Sequence, residues 1–253
     1  MTMTLKAGLQ LYSVGEAMYQ APLETIAAVG QMGYQGVEFA GYHGQSAHDL
    51  AQAVRDAGMV TCGSHIGLDQ LVNDLAATLD FEAALGNRRV IVPGIQCDTP
   101  EAWYAKMATL DQLAEALAAR GFQLIYHNHG HEVATFPGID LLDQMTKRTQ
   151  HVQLEVDTYW LAYAGIDVLA WLTAHADRIA MLHIKDMAVT GDEKESVILE
   201  TGTLPLTDYL TFAMHHGVDW LVVEQEAFSQ AAPVAAARQN AVALNQLIGR
   251  IEQ

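Results

Sequence analysis

Eight short apolar runs, each followed by a helical pattern, constrain this chain more than any other feature. The runs are Ala7–Ser13, Gly36–Ala40, Val60–His65, Arg89–Pro93, Phe122–Ile125, Val152–Asp157, Ile179–Ile184 and Trp220–Glu224. They are too short for helices and read as buried strands. Between and after them, helical periodicity covers about 22–32, 47–58, 69–85, 100–120, 139–145, 168–175, 206–216 and 232–251. Thr99-Pro100-Glu101 reads as a cap with proline in the first turn. Residues 187–204 read as a long loop, and long loops within compact domains are often functional. Strands alternating with helices imply a parallel sheet. Eight such units predict an α/β protein with one domain over 1–253, a closed (β/α)8 TIM barrel whose active site lies at the C-terminal strand ends. An open doubly wound sheet competes, but neither GxGxxG nor GxxxxGK[ST] follows the first strand.

Charge narrows the partners. The chain of 253 residues carries 13 Lys and Arg against 30 Asp and Glu, for a formal charge of −17. Nucleic acids and anionic membranes need clustered cations, so neither is expected as a partner. No apolar run approaches the roughly 20 residues of a membrane helix. The first residues lack the pattern of a signal peptide. Cys62 and Cys97 make neither a disulfide framework nor a CxxC site. A cytoplasmic location is the expectation.

The strand ends carry the chemistry. Tyr126-His127-Asn128-His129-Gly130-His131-Glu132 packs three histidines, an amide and a carboxylate into seven residues after the fifth strand. Strand side chains alternate faces. Gln153, Glu155 and Asp157 therefore share one face of the sixth strand, Met181, His183 and Lys185 one face of the seventh, and Val222, Glu224 and Glu226 one face of the eighth. With the polar faces inward, Asp157, His183, Glu224 and the histidine cluster meet at the barrel mouth. Buried carboxylates must be neutralised, and a divalent cation does this well. One imidazole with several carboxylates suits Mn2+, Co2+, Mg2+ or Zn2+, and the absence of nearby cysteine excludes thiolate-selected metals. Taken singly, each group has a plainer reading: Asp157 as a helix cap, His183 as a core histidine, Lys185-Asp186 as a local ion pair. The conjunction on four consecutive strands argues for a site. His175, His215 and His216 fall in helical patterns and read as surface residues.

Leu9-Gln10-Leu11-Tyr12-Ser13, Gly36-Val37-Glu38, Tyr126-His127-Asn128-His129, Val156-Asp157-Thr158-Tyr159-Trp160, His183-Ile184-Lys185-Asp186 and Val223-Glu224-Gln225 occur in that order. This set resembles the sugar phosphate isomerase/epimerase proteins of the xylose-isomerase-like barrel superfamily over nearly the whole chain. The resemblance implies one divalent metal, Mn2+ first among the candidates, on a Glu, Asp, His, Glu set with one ligand from each of the last four barrel strands. Asp157, His183 and Glu224 match three positions. The fifth strand departs from the pattern, and Glu132, its nearest carboxylate, stands as the fourth ligand, with His129 or His127 as substitutes.

The expected activity is isomerisation or epimerisation of a sugar, keto-sugar or sugar phosphate, or a related lyase reaction, through α-proton removal and a metal-stabilised enediolate. Glu132, His127, His129 and Glu224 are the candidate acid/base groups, and Lys185 is placed to hold an oxyanion. Gln10, Glu38, His65 and Asn128 are expected to bind hydroxyls, and Tyr12 and Trp160 to pack on a sugar face. Two other readings stay open: a non-catalytic sugar-binding or partner-dependent barrel, and a nuclease of the endonuclease IV type. A homodimer is possible, with no interface placed.

Overall fold

The computed structural model describes residues 4–253. Eight parallel strands close into a barrel: β1 (Lys6–Gln10), β2 (Gly36–Phe39), β3 (Val60–His65), β4 (Arg89–Pro93), β5 (Gln123–His127), β6 (Gln153–Asp157), β7 (Ile179–Ile184) and, after an inserted hairpin, β10 (Trp220–Val223). Each strand pairs with its neighbours in the sequence order of barrel strands, and β10 closes the ring onto β1. Helices Pro22–Met32, Ala47–Asp56, Leu68–Leu85, Pro100–Ala118, Leu141–Arg148, Val168–Ala174, Leu206–His216 and Pro233–Ile251 form the outer layer. No helix among the described residues is long and apolar enough to cross a membrane.

Two local departures follow from short-range chemistry. The first strand stops at Gln10 instead of Ser13, because the Gln10 side chain accepts from Tyr12 N and caps a 3-10 turn over Leu11–Val14. The stretch read as one loop after β7 contains an antiparallel hairpin, β8 (Asp186–Thr190) and β9 (Glu193–Val197). Its exposed tip is Thr190-Gly191-Asp192-Glu193-Lys194, where charge hides the strand alternation. Side chains pin the hairpin to the barrel. Asp186 accepts from Gly202 N and Leu204 N, while Ser196 Oγ accepts from Glu226 N and Ala227 N.

Side-chain parity builds the barrel interior in tiers. Cys62, Ile91, Ile125, Met181, Trp220 and Val222 form a closed apolar plug separate from the larger core under the helices. Trp220 fits because β2 offers no side chain at Gly36: a Cβ there would stand 2.5 Å from the indole. Two residues further along the same strands, the inward positions turn polar. Ile125 is followed by His127, Met181 by His183 and Val222 by Glu224. The apolar plug thus forms the floor, and the C-terminal strand ends form the polar mouth.

Candidate functional site

The mouth opens into a cavity of about 550 Å3 lined by Tyr12, Ala40, His65, Pro93, His127, His129, Glu224 and Glu226. At its base lie His127, Asp157, His183 and Glu224, all buried, with one donor atom from each within 4.8 Å of the others. His183 Nδ1 is 3.4 Å from Glu224 Oε2 and 3.9 Å from Asp157 Oδ2. His127 Nδ1, Asp157 Oδ2, His183 Nδ1 and Glu224 Oε2 are all buried without a hydrogen bond. Buried polar atoms rarely lack a hydrogen bond, and these four face one point, the two carboxylate oxygens also lying beside the Lys185 ammonium.

Asp157 divides its carboxylate. Oδ1 accepts from Trp160 N and caps the helix Thr158–Tyr163, while Oδ2 is left for the site. The helix-cap reading and the metal-ligand reading are therefore compatible. Lys185 is buried beside the cluster, with Nζ at 2.9 Å from Asp157 Oδ2, 2.6 Å from Glu224 Oε2 and 2.9 Å from Glu226 Oε1. Only the contact to Glu226 lies along a hydrogen-bonding direction. Burial alone would lower the Lys185 pKa, but Asp157, Glu224 and Glu226 together hold it above its ordinary value. The same ammonium, with His183, outweighs burial at Glu224 and keeps that carboxyl well below the usual range.

Behind the cluster lies a second polar tier. Glu38 Oε1 sits 2.9 Å from both His183 Nε2 and His65 Nε2 and accepts from Gln10 Nε2 at 2.7 Å. Glu155 Oε2 lies 3.3 Å from His183 Nε2 and 3.4 Å from His65 Nε2. With Nε2 turned to Glu38, His183 presents Nδ1 to Asp157 and Glu224, as metal-bound histidines are usually fixed by a carboxylate behind them. Burial opposes charge on His65, yet Glu38 and Glu155 raise it to about 9. At His127, burial and then the neighbouring His183 and His65 push the pKa well down, leaving a neutral imidazole suited to coordination.

The fifth-strand residue differs from the expected one. Glu132 lies apart from Asp157, His183 and Glu224, in a cluster with His129 and His131. Its Oε1 accepts from Tyr126 Oη at 2.6 Å and its Oε2 from His129 N at 2.9 Å. Tyr126 has the opposite parity to His127 and is buried on the outer side of the barrel, and it draws Glu132 there. His127 takes the place in the convergent set. Burial raises the Glu132 pKa to about 7. A folded-state pKa above the unfolded value contributes stability below about pH 4.5 and loses it as pH rises through 7. Unfolding by urea should therefore show the wild-type protein losing up to about 3 kcal/mol relative to Glu132→Gln across that window. Parallel curves for the two proteins would rule this out.

Other expected residues fall in several places. His65, His129 and Tyr12 line the cavity. Gln10 and Glu38 are buried in the tier behind His183, not among the cavity-lining groups. Asn128 is spent on the main chain: Oδ1 accepts from Asp157 N at 2.9 Å, tying β5 to β6. Trp160 lines a neighbouring groove. Glu155 and Glu226 enter the site although neither stood among the candidates, and their alternation with Asp157 and Glu224 is the signal that marks them. His215 and His216 are exposed, as expected of surface residues. His175 instead packs on Trp171 and contacts Asp143.

Two imidazoles and two carboxylates around one buried point, at the C-terminal mouth of a closed parallel barrel, define a βα barrel able to hold a divalent metal. The chain belongs to the xylose isomerase-like TIM barrel family, whose model matches residues 26–247. An inosose dehydratase from Geobacillus thermodenitrificans is 30% identical over 147 residues, 51% of this chain and 48% of that protein. The match thus spans about half of that curated relative's length. A solved sugar phosphate isomerase/epimerase from Parabacteroides distasonis superposes with TM-score 0.80 at 25% identity, covering 95% of this chain and 98% of that one. The IOLI protein with a bound zinc atom superposes with TM-score 0.80 at 14% identity over 98% and 99% of the two chains, a likeness of fold.

Proposed function

We propose that this protein is a divalent-metal-dependent enzyme that removes an α-proton from a sugar or keto-sugar, as an isomerase, epimerase or dehydratase-type lyase. The convergence of four buried donor side chains, His127, Asp157, His183 and Glu224, on one point carries this reading. The inosose dehydratase, isomerase and epimerase relatives support its reaction class. The donor set fits Zn2+, Co2+ or Mn2+ better than Mg2+, which prefers an all-oxygen shell. A metal held there supplies Lewis acidity toward a carbonyl and the hydroxyl beside it.

The protein's own groups do the rest. Glu38 and Glu155 hold His183 and His65 in place from behind. Lys185 balances the charge of Asp157, Glu224 and Glu226. Glu226 and His129 line the cavity but stand outside the convergent set, so they are placed to take and return a proton. The cavity lining includes no arginine or lysine, and the only buried lysine beside it already has three carboxylate partners. The formal charge of −17 and a lining without arginine or lysine leave no basic track for a nucleic-acid backbone, which speaks against the nuclease reading.

The test pairs elemental analysis with proton exchange. Protein purified without added metal should carry about one divalent ion per chain and exchange the α-proton of an inosose or ketose with solvent deuterium. His183→Ala should abolish both while its circular dichroism stays native. A fully loaded protein that exchanges no proton with a panel of keto-sugars would leave a sugar-binding barrel without catalysis.

A further inference from the structure

A second cavity of about 540 Å3 lies beside the mouth, lined by His129, Gly130, His131, Ala134, Thr135, Trp160, Tyr163 and Ala164. Its walls come from the segments that follow β5 and β6, so it opens on the same C-terminal face as the site. His129 lines both cavities and is the partition between them. The groove is aromatic on both sides. Trp160 lies 5.2 Å from Tyr163 and 5.9 Å from His129, and His129 stacks on His131 at 5.9 Å and 26°. Its far wall is fixed from the hairpin, where Lys194 Nζ donates to Tyr163 O at 2.7 Å and stands over the Tyr163 ring. On the inner side the Lys185 ammonium lies 5.5 Å from the Trp160 ring centre. The indole therefore spans from the reacting site to the groove.

The lining points to a particular ligand chemistry. Neither cavity is lined by arginine or lysine, and the groove walls are chiefly aromatic rings and small residues. Aromatic faces beside small residues fit the apolar face of a sugar ring or an aryl group.

We propose that the groove is a second subsite, and that the preferred substrate is a glycoside: a sugar whose reacting ring enters the metal-competent cavity while a second ring or aryl group lies between Trp160, Tyr163 and His131. This rests on the reading of the mouth as a sugar site. Ala134 and Ala164 line the groove, and neither is among the buried core residues, so a larger side chain at either position fills the groove without disturbing the barrel.

Calorimetric titration of the Mn2+-loaded protein with phenyl β-glucoside and methyl β-glucoside tests the assignment. The phenyl compound should bind at least about tenfold more tightly, as a buried aromatic contact of about 1.4 kcal/mol implies. Ala134→Trp and, independently, Ala164→Trp should erase that advantage and leave methyl glucoside affinity unchanged. Equal binding of the two glucosides, no binding of either, or a preference that persists in both variants would overturn the proposal. Chelation separates the two readings. Loss of affinity for both glucosides supports the metal-site reading. A phenyl preference that survives chelation keeps the groove and counts against the metal site.

Discussion

His127→Ala should weaken metal binding by about a hundredfold or more, whereas Glu132→Ala should leave it close to wild type. Titration with Co2+ or Zn2+, followed by absorption or competition with a chelating dye, measures both. The contrast isolates the fifth-strand position, where His127 rather than Glu132 joins Asp157, His183 and Glu224 in the convergent group. Strand parity decides it. Ile125 belongs to the apolar plug, so His127, two residues on, faces the same interior. Glu132 is reached only after the strand has ended, and Tyr126 with His129 N fixes it elsewhere. If Glu132→Ala lost the metal and His127→Ala kept it, the convergent set would be wrong.

Lys185→Met should cost the metal-free protein about 3–5 kcal/mol, and saturating Mn2+ or Zn2+ should restore much of that loss. The substitution leaves Asp157, Glu224 and Glu226 buried or half-buried around one side chain, with the cation that balanced them removed. Glu38 and Glu155 add two more carboxylates immediately behind. A divalent ion on Asp157 and Glu224 supplies the missing positive charge from the other side. Denaturant unfolding with and without the ion reads out both effects. A metal-free variant as stable as wild type would show that Lys185 does not carry the charge balance.

Barrel architecture was legible because it depends on repetition: eight apolar runs and eight helical patterns report the same layer eight times. Asp157, His183 and Glu224 were legible for a related reason, since two-residue alternation on a buried strand fixes which side chains meet inside. Glu155 shares its face with Asp157, and Glu226 shares its face with Glu224, so the same alternation marks both as inward. Three further features depend on side-chain contacts, two across distant segments and one, Tyr126 to Glu132, over six residues. The Asn128 amide is taken by the Asp157 main chain, Glu132 is drawn outward by Tyr126, and the hairpin of residues 186–197 is held by Asp186 and Ser196. None of these partners is a sequence neighbour at helical or strand spacing, so periodicity is silent about them.

Asp157 works on two circuits at once. One oxygen anchors the start of the short helix that carries Trp160 and Tyr163, and the other is turned to the convergent donors. Truncation to alanine cuts both circuits, so any loss it causes is ambiguous between a displaced groove wall and an emptied ion site. Asparagine keeps an oxygen able to cap the helix and removes the negative charge, so Asp157→Asn spares the helix start while it alters the convergent donors and their Lys185 contact. The same bifurcation ties the position of the Trp160 platform to the state of the site: whatever pulls on that carboxylate from within the barrel is felt at the first turn of the groove wall.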